Sequence, residues 1–349
     1  MVLETLAQSS RLAFHVKVIG EPYKWHILCF IDQTRKDFRD YPTHLTVDEK
    51  LQLIALASRA INNCVNLLSC SWTRDGSLNT KIIESLANLE KLRALEINGR
   101  PGPWTAWVPE DLLRFRQLQS LTLIMPVQTV VEVLPEWAAQ NSETLESLVV
   151  ICKSTTALND STLFKMSSSL YRLRRFHLAG CTKVTEGSIK EVISRNAAGL
   201  ESLAGELLAT PRYGRAWDFE AFGIQRLIIP LDALRYAIAV CLNLEDVFVT
   251  LCGVNRDDLA QTLASGNVLR NVHTTLMTDV TGVLRPIHLA TAQSMCQHVV
   301  QYCSASLRII GAQTRVWKVT RHFSGKEAIV TLGAYSGPQI PEQFLMIRA

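Results

Sequence analysis

No stretch of this 349-residue sequence stays apolar for long. A helix needs about 18 consecutive apolar residues to cross a bilayer, and the most apolar region, 234–251, is broken by Arg235, Asn243, Glu245 and Asp246. There is no CxxC pair, no H-E-x-x-H, no G-x-S-x-G and no G-x-G-x-x-G, so the sequence patterns of common zinc sites, nucleophile elbows and dinucleotide folds are missing. Ser324-Gly-Lys326 lacks the upstream glycine of a phosphate loop and reads as a turn. A surplus of one charge is also missing. The net charge of +4, from 36 basic and 32 acidic residues, is too small for a polyanion-binding stripe, so nucleic acid is not the expected partner. The N-terminus shows no basic segment leading into an apolar run, and the C-terminus no lipidation motif. Nine cysteines, an odd number without a secretory leader, are therefore expected as reduced thiols in a cytoplasmic or nuclear protein. No membrane anchoring, metal, cofactor or enzymatic activity is expected.

What the sequence does contain is a repeated phrase: leucine, two residues, leucine or a substitute, one residue, another aliphatic. The clearest copies are Leu92-Arg-Ala-Leu95-Glu-Ile97, Leu118-Gln-Ser-Leu121-Thr-Leu123, Leu145-Glu-Ser-Leu148-Val-Val150 and Leu173-Arg-Arg-Phe176-His-Leu178. Weaker copies start at Val65, Leu200, Ile224, Leu244 and Leu269. From 65 to 200 the starts are separated by 27, 26, 27, 28 and 27 residues, a period that composition alone does not produce. This predicts an α/β fold, a right-handed leucine-rich-repeat solenoid with parallel strands on its concave side and helices on its convex side. Each phrase is a strand, so Leu95 and Ile97 point inward while Glu96 points outward.

Helical spacing follows the strands. Thr46-Val-Asp-Glu49 is a capping box. Further helices are expected at 80–87, 111–115, 159–170, 187–195, 231–241, 256–265 and 287–302, and strands at 11–19 and 307–310. Two β-rich runs, 315–320 and 328–332, joined by a turn at 324–327, predict a terminal hairpin. The organisation expected is an N-terminal cap over 1–62, repeats over 63–275 and a C-terminal repeat-like cap over 276–349. Two irregular insertions, 100–107 and 209–217, interrupt the units, and insertions in solenoids often hold ligands.

The outward residue of each phrase is, in order, Ser69, Glu96, Thr122, Val149, His177, Ala204, Ile228, Phe248 and His273. Val149, Ile228 and Phe248 are bulky and apolar, and an exposed apolar groove commonly marks a protein-binding surface. The competing reading is that the loop around Tyr213 and Trp217, or the C-terminal tail, folds over them. Arg175 and Arg226 would form a polar rim, where charge selects the partner. The candidate partner-binding set is therefore Glu96, Val149, Arg175, His177, Arg226, Ile228, Phe248 and His273. His177 and His273 are expected to be solvated or partner-contacting, because neither has a carboxylate or thiol in phrase with it. Cys181 and Cys252 are expected to be buried turn residues. Cys296 and Cys303, two helical turns apart, are too distant to share one zinc ion.

Leu173-x-x-Phe-x-Leu-x-x-Cys181 and Leu244-x-x-Val-x-Val-x-x-Cys252 end in cysteine at the ninth position. With units near 26 residues, they resemble the cysteine-containing leucine-rich repeats of F-box/LRR proteins. Residues 178–185, Leu-Ala-Gly-Cys-Thr-Lys-Val-Thr, carry the likeness most specifically, and the tracts 72–77 and 95–99 resemble a fungal branch of the group. The resemblance spans residues 60 to 275. It implies a protein partner on the concave face and the substrate-binding role of an SCF ubiquitin-ligase receptor, with an SCF adaptor as a further partner. The alternative is an interaction scaffold of the ribonuclease-inhibitor-like type, outside ubiquitin chemistry. One feature departs from the family. An F-box opens with a Leu-Pro-x-Glu-like phrase ahead of the repeats, and here the only such phrase, Leu134-Pro-Glu136, lies inside one.

Overall fold

The computed structural model describes residues 2–20, 46–73, 78–100, 107–196, 199–206, 228–280, 283–324 and 327–335. The chain divides into two compact units, Met1–Ile151 and Cys152–Ala349. It is a mixed α/β protein, and in each unit the strands form an open, largely parallel sheet.

Unit 1 begins with two short helices, α1 (Val2–Gln8) and α2 (Ser10–Ala13), and the two-residue strand β1 (Val18–Ile19). The strand expected over 11–19 is confined to those last two residues. Ser9 Oγ accepts from Leu12 N–H and starts a helical turn instead. Helix α3 (Val47–Asn63) opens with the predicted capping box: Thr46 N–H donates to Glu49 Oε2 at 2.7 Å, and Glu49 N–H donates to Thr46 Oγ1 at 3.3 Å. Then come β2 (Ser69–Trp72), α4 (Thr80–Ala87), β3 (Ala94–Asn98), a 3-10 turn (Pro109–Arg114), β4 (Ser120–Ile124), α5 (Gln128–Gln140) and the start of β5 (Ser147–Asn159). Strands β1 to β5 pair in chain order, all parallel. The inward leucines Leu92, Leu95, Leu118, Leu121, Leu145 and Leu148 are all buried, each stabilising by about 1.5–3 kcal/mol through removal from water.

The first phrase sits two residues later than its sequence suggested. Cys70 pairs with Leu95, while Val65 and Leu68 are exposed and Leu67 is buried. The unit therefore reads Leu67-x-x-Cys70-x-Trp72, with a cysteine as a small apolar filler where leucine is usual. Burial pushes the Cys70 thiol up to about 12, with Glu96 and Cys64 adding to the effect. Its outward residue is Ser71, opposite Glu96, rather than Ser69.

Unit 2 continues with α6 (Asp160–Ser167), β6 (Arg175–Lys183), α7 (Glu186–Arg195), β7 (Ser202–Glu206), β8 (Ile228–Ile229), α8 (Leu231–Val240), β9 (Asp246–Cys252), α9 (Arg256–Ala264) and β10 (Asn271–Val280). After β11 (Val283–Pro286) and α10 (Leu289–Tyr302) come β12 (Ile309–Ala312), β13 (Arg315–Ser324) and β14 (Glu327–Ala334). The pairing β6-β7-β9-β10-β12 is parallel. Strands β13 and β14 close it as the expected antiparallel hairpin.

The phrases starting at 200 and 224 are halves of one unit. Strand β7 pairs with Asp246–Phe248 and β8 with Thr250–Leu251, while β10 runs along β9 through all of these residues. So β7 and β8 share one edge of β9. Ile229 consequently meets Leu251, not Val249 as a complete repeat at 224 requires.

Two asparagines that the sequence reading passed over knit neighbouring repeats together. Asn141 Oδ1 accepts from Leu118 N–H at 3.0 Å, and its Nδ2 donates to the Phe115 and Trp137 carbonyls, both at 2.9 Å. Asn196 repeats this in unit 2, accepting from Leu173 N–H at 2.8 Å and donating to the Val192 carbonyl at 2.9 Å. Each follows a helix and satisfies backbone groups that would otherwise be buried unpaired. Among the described residues, no helix is long and apolar enough to cross a membrane.

Candidate recognition surface

Parallel pairing places equivalent phrase positions side by side, so outward residues line up about 4.8 Å apart. In unit 1 the row is Ser71, Glu96, Thr122, Val149. In unit 2 it is His177, Ala204, Phe248, His273, Gly311, Val316. The predicted Glu96 and Val149 thus flank Thr122, and His177, Phe248 and His273 share a single row. Arg226 lies outside the described residues. Ile228 is placed by its backbone opposite Thr250, one step beyond the row it was assigned to.

Exposure is where expectation and structure part. Glu96, Val149, His177, Phe248 and His273 retain only 8, 9, 7, 4 and 1% of their accessible surface. The apolar groove expected around Phe248 is filled from within the chain. Phe248 and Val316 form a small apolar cluster, with Ala204, Ile309 and Tyr335 packed against it. The C-terminal hairpin does this, because β13 brings Val316 into the row and Tyr335 N–H donates to the Val316 carbonyl at 3.0 Å. His273 is also packed rather than solvated. A Cβ on Gly311 would lie 2.1 Å from its Cδ2, so the ring rests on the bare α-carbon of the neighbouring strand. Only glycine leaves that space.

His177 is buried as well. Its Nε2 shares a 2.8 Å hydrogen bond with Ser202 Oγ, and its ring meets that of Phe248 edge-on, centroids 6.5 Å apart. Burial, with the Arg175 charge beside it, drives the imidazole down to about 3, so it is neutral at physiological pH. A serine within reach of a histidine has the geometry of a nucleophile and base. Its Nδ1 has no hydrogen-bond partner among the described residues, so no third group there orients the ring.

Next to this row runs another that the sequence reading missed, Arg175, Ser202, Asp246 and Asn271. It lies two residues earlier in every phrase, so the same spacing rule could have found it. Arg175 is exposed as expected of a rim residue. Asp246 Oδ1 accepts from Asn271 Nδ2 at 2.8 Å, and burial raises its carboxyl above the usual range against the lowering effect of that bond. At the strand starts, backbone bonds link Arg174, Glu201, Glu245, Arg270 and Arg308 in order. Arg174 Nε donates to Glu201 at 2.8 Å and Arg270 pairs with Glu245 at 3.1 Å. The arginines of this edge are exposed, whereas in the row behind it Ser202 is buried and Asp246 and Asn271 are half-buried.

Cys181 is fully buried, as expected, but it lies within β6 and not in a turn, with Sγ 3.5 Å from the Ala179 carbonyl and 3.6 Å from Cys152 Sγ. Cys252 is only half-buried, which departs from the expectation for it.

No family model matches this chain, and no curated protein is significantly similar to it. A solved structure titled "Crystal structure of Rad7 and Elc1 complex in yeast" is similar with a TM-score of 0.43 and 16% identity, over 72% of each chain. A likeness at that level identifies neither a family nor an activity.

Proposed function

We propose that this chain is a leucine-rich-repeat solenoid, right-handed with its strands on the concave side, that recognises a protein partner. The observation carrying this reading is the register. Successive strands present equivalent residues side by side, which makes an extended surface and not a closed pocket. Because Phe248 and His273 are packed inside, the contact is assigned to the exposed charged edge around Arg174, Arg270 and Arg308, together with Arg175, which is exposed in the row behind it. The edge sets Arg174, Arg270 and Arg308 among Glu201 and Glu245, so it selects a partner whose charges complement that mixed pattern. The substrate-binding role of an SCF receptor in cytoplasm or nucleus is the finer form of this proposal, and an SCF adaptor is then the second partner.

The test is affinity purification of the wild type and of an Arg175→Glu/Arg308→Glu double variant from fungal cells, with quantitative mass spectrometry. The expected result is a reproducible set of proteins lost at least tenfold from the charge-reversed variant. Recovery of the SCF adaptor and cullin with the wild type assigns the ligase role, and their absence from an otherwise intact set assigns a stand-alone scaffold. Identical recoveries from both forms overturn recognition through this edge.

A further inference from the structure

Strand β14 ends the strand order and, among the described residues, pairs with β13 only, from Ser324↔Glu327 to Trp317↔Ala334. In an antiparallel ladder, alternate residues turn both backbone groups toward the neighbour or away from it. Tyr335 N–H bonds to the Val316 carbonyl. Counting back by twos, Gly333, Thr331 and Ile329 face β13, while Ala334, Leu332, Val330 and Ala328 direct N–H and C=O outward. Gln297 on α10 agrees with that count, since its Nε2 donates to the Val330 carbonyl at 2.9 Å, in the place a neighbouring strand's N–H takes.

Proteins normally blunt such an edge with charge or proline. Residues 328–334, Ala-Ile-Val-Thr-Leu-Gly-Ala, contain neither. Ile329 is 54% exposed, and Thr331 and Gly333 are exposed beside it. The outward groups also have a symmetry. About a two-fold axis at Thr331, Val330 faces Leu332 of a second copy, Ile329 faces Gly333, and Ala328 faces Ala334. Each outward-facing residue then meets another outward-facing residue, so donors meet acceptors, and no charge meets its like. At the axis the two threonines form a close non-hydrogen-bonded pair, with Cα atoms about 4.5 Å apart.

We infer that β14 is a self-pairing edge, through which two copies of this chain join antiparallel with Thr331 on the two-fold axis. The Gln297 carboxamide occupies the Val330 carbonyl in the single chain and yields it to Leu332 N–H of the second copy on pairing. This is an isologous contact, closed at two copies.

Analytical ultracentrifugation of the purified full chain across the micromolar range is the first measurement, and twice the monomer mass is expected. Thr331→Lys places two ammonium groups face to face on the axis and is expected to return the monomer mass with an unchanged circular dichroism spectrum and melting temperature. Thr331→Cys is expected to give a disulfide-linked dimer on mild oxidation, whereas Tyr302→Cys, on the exposed face of α10, is not. A wild-type monomer at every concentration, a Thr331→Lys dimer of undiminished mass, or no cross-link through Cys at 331 each overturns the inference.

Discussion

In unit 1 the phrases at Leu67, Leu92, Leu118 and Leu145 follow one another, and the strand of each pairs with the next. In unit 2 the strands β7 and β8 share one edge of β9, and a hairpin folds onto the end of the sheet. The inward leucines are equally buried in both. The outward rows are buried in both but differ in chemistry: Glu96 and Thr122 are polar in unit 1, whereas Phe248 and Val316 form an apolar cluster beside His177 in unit 2. The repeat therefore constrains its inner positions and leaves its outer ones open. In unit 2 those outer positions have become a second, smaller core.

That contrast breaks most visibly at Phe248. Phe248→Asp is expected to unfold unit 2, because truncating a buried phenylalanine costs about 3–5 kcal/mol and the new carboxylate adds the cost of an unpaired buried charge. A chemical denaturation curve unchanged from wild type would show that Phe248 faces solvent after all. The inner positions should show no contrast. Leu121→Ala in unit 1 and Leu178→Ala in unit 2 are each expected to lose roughly 2–5 kcal/mol, and a negligible loss at either contradicts its strand register. Asn141→Ala and Asn196→Ala strand buried backbone groups and should each cost about 1–3 kcal/mol. Asp replacements lose the donor and bury a carboxylate against backbone carbonyl oxygens, and should cost at least as much as alanine.

The pH dependence separates the units again, since only unit 2 holds the buried His177. Its ordinary value of 6.5 is lowered to about 3 on folding. The unfolded chain therefore takes up a proton first as pH drops. The stabilisation is complete above 6.5 and is lost progressively between 6.5 and about 3. At its steepest the loss is about 1.4 kcal/mol per pH unit. Denaturant titrations of wild type and His177→Gln at several pH values isolate this contribution, and parallel curves would contradict it. The smallest effect belongs to the exposed Arg174–Glu201 pair. A double-mutant cycle there should return about 0.2–1 kcal/mol, falling with added salt.

Much of this was legible beforehand because period and chemistry agreed. The phrases at 92, 118, 145 and 173 became strands, the Thr46 capping box formed, and the helix at 80–87 has the predicted bounds. Where side-chain identity blurred the period, the reading slipped. Cys70 stands in for a leucine, so the sequence pattern puts the first phrase on Val65 and Leu68, which are exposed. The phrase at 224 reads as complete because Leu227, Ile228 and Ile229 are apolar, although only pairing to β9 shows which edge position Ile228 and Ile229 occupy. Helix α5 escaped notice because Pro135 interrupts an otherwise helical pattern. Of the candidate site, the alignment of His177, Phe248 and His273 in one row followed from spacing alone, and their burial did not.

Sequence by itself determined which residues share a face, because alternation along a strand and a period near 27 residues are local rules written in the order of side chains. The tertiary structure alone decided what that face meets. Gly311 becomes a seat for His273, and Val316 a cover for Phe248, only once strands far apart in the chain are brought side by side, and no local rule encodes that distance.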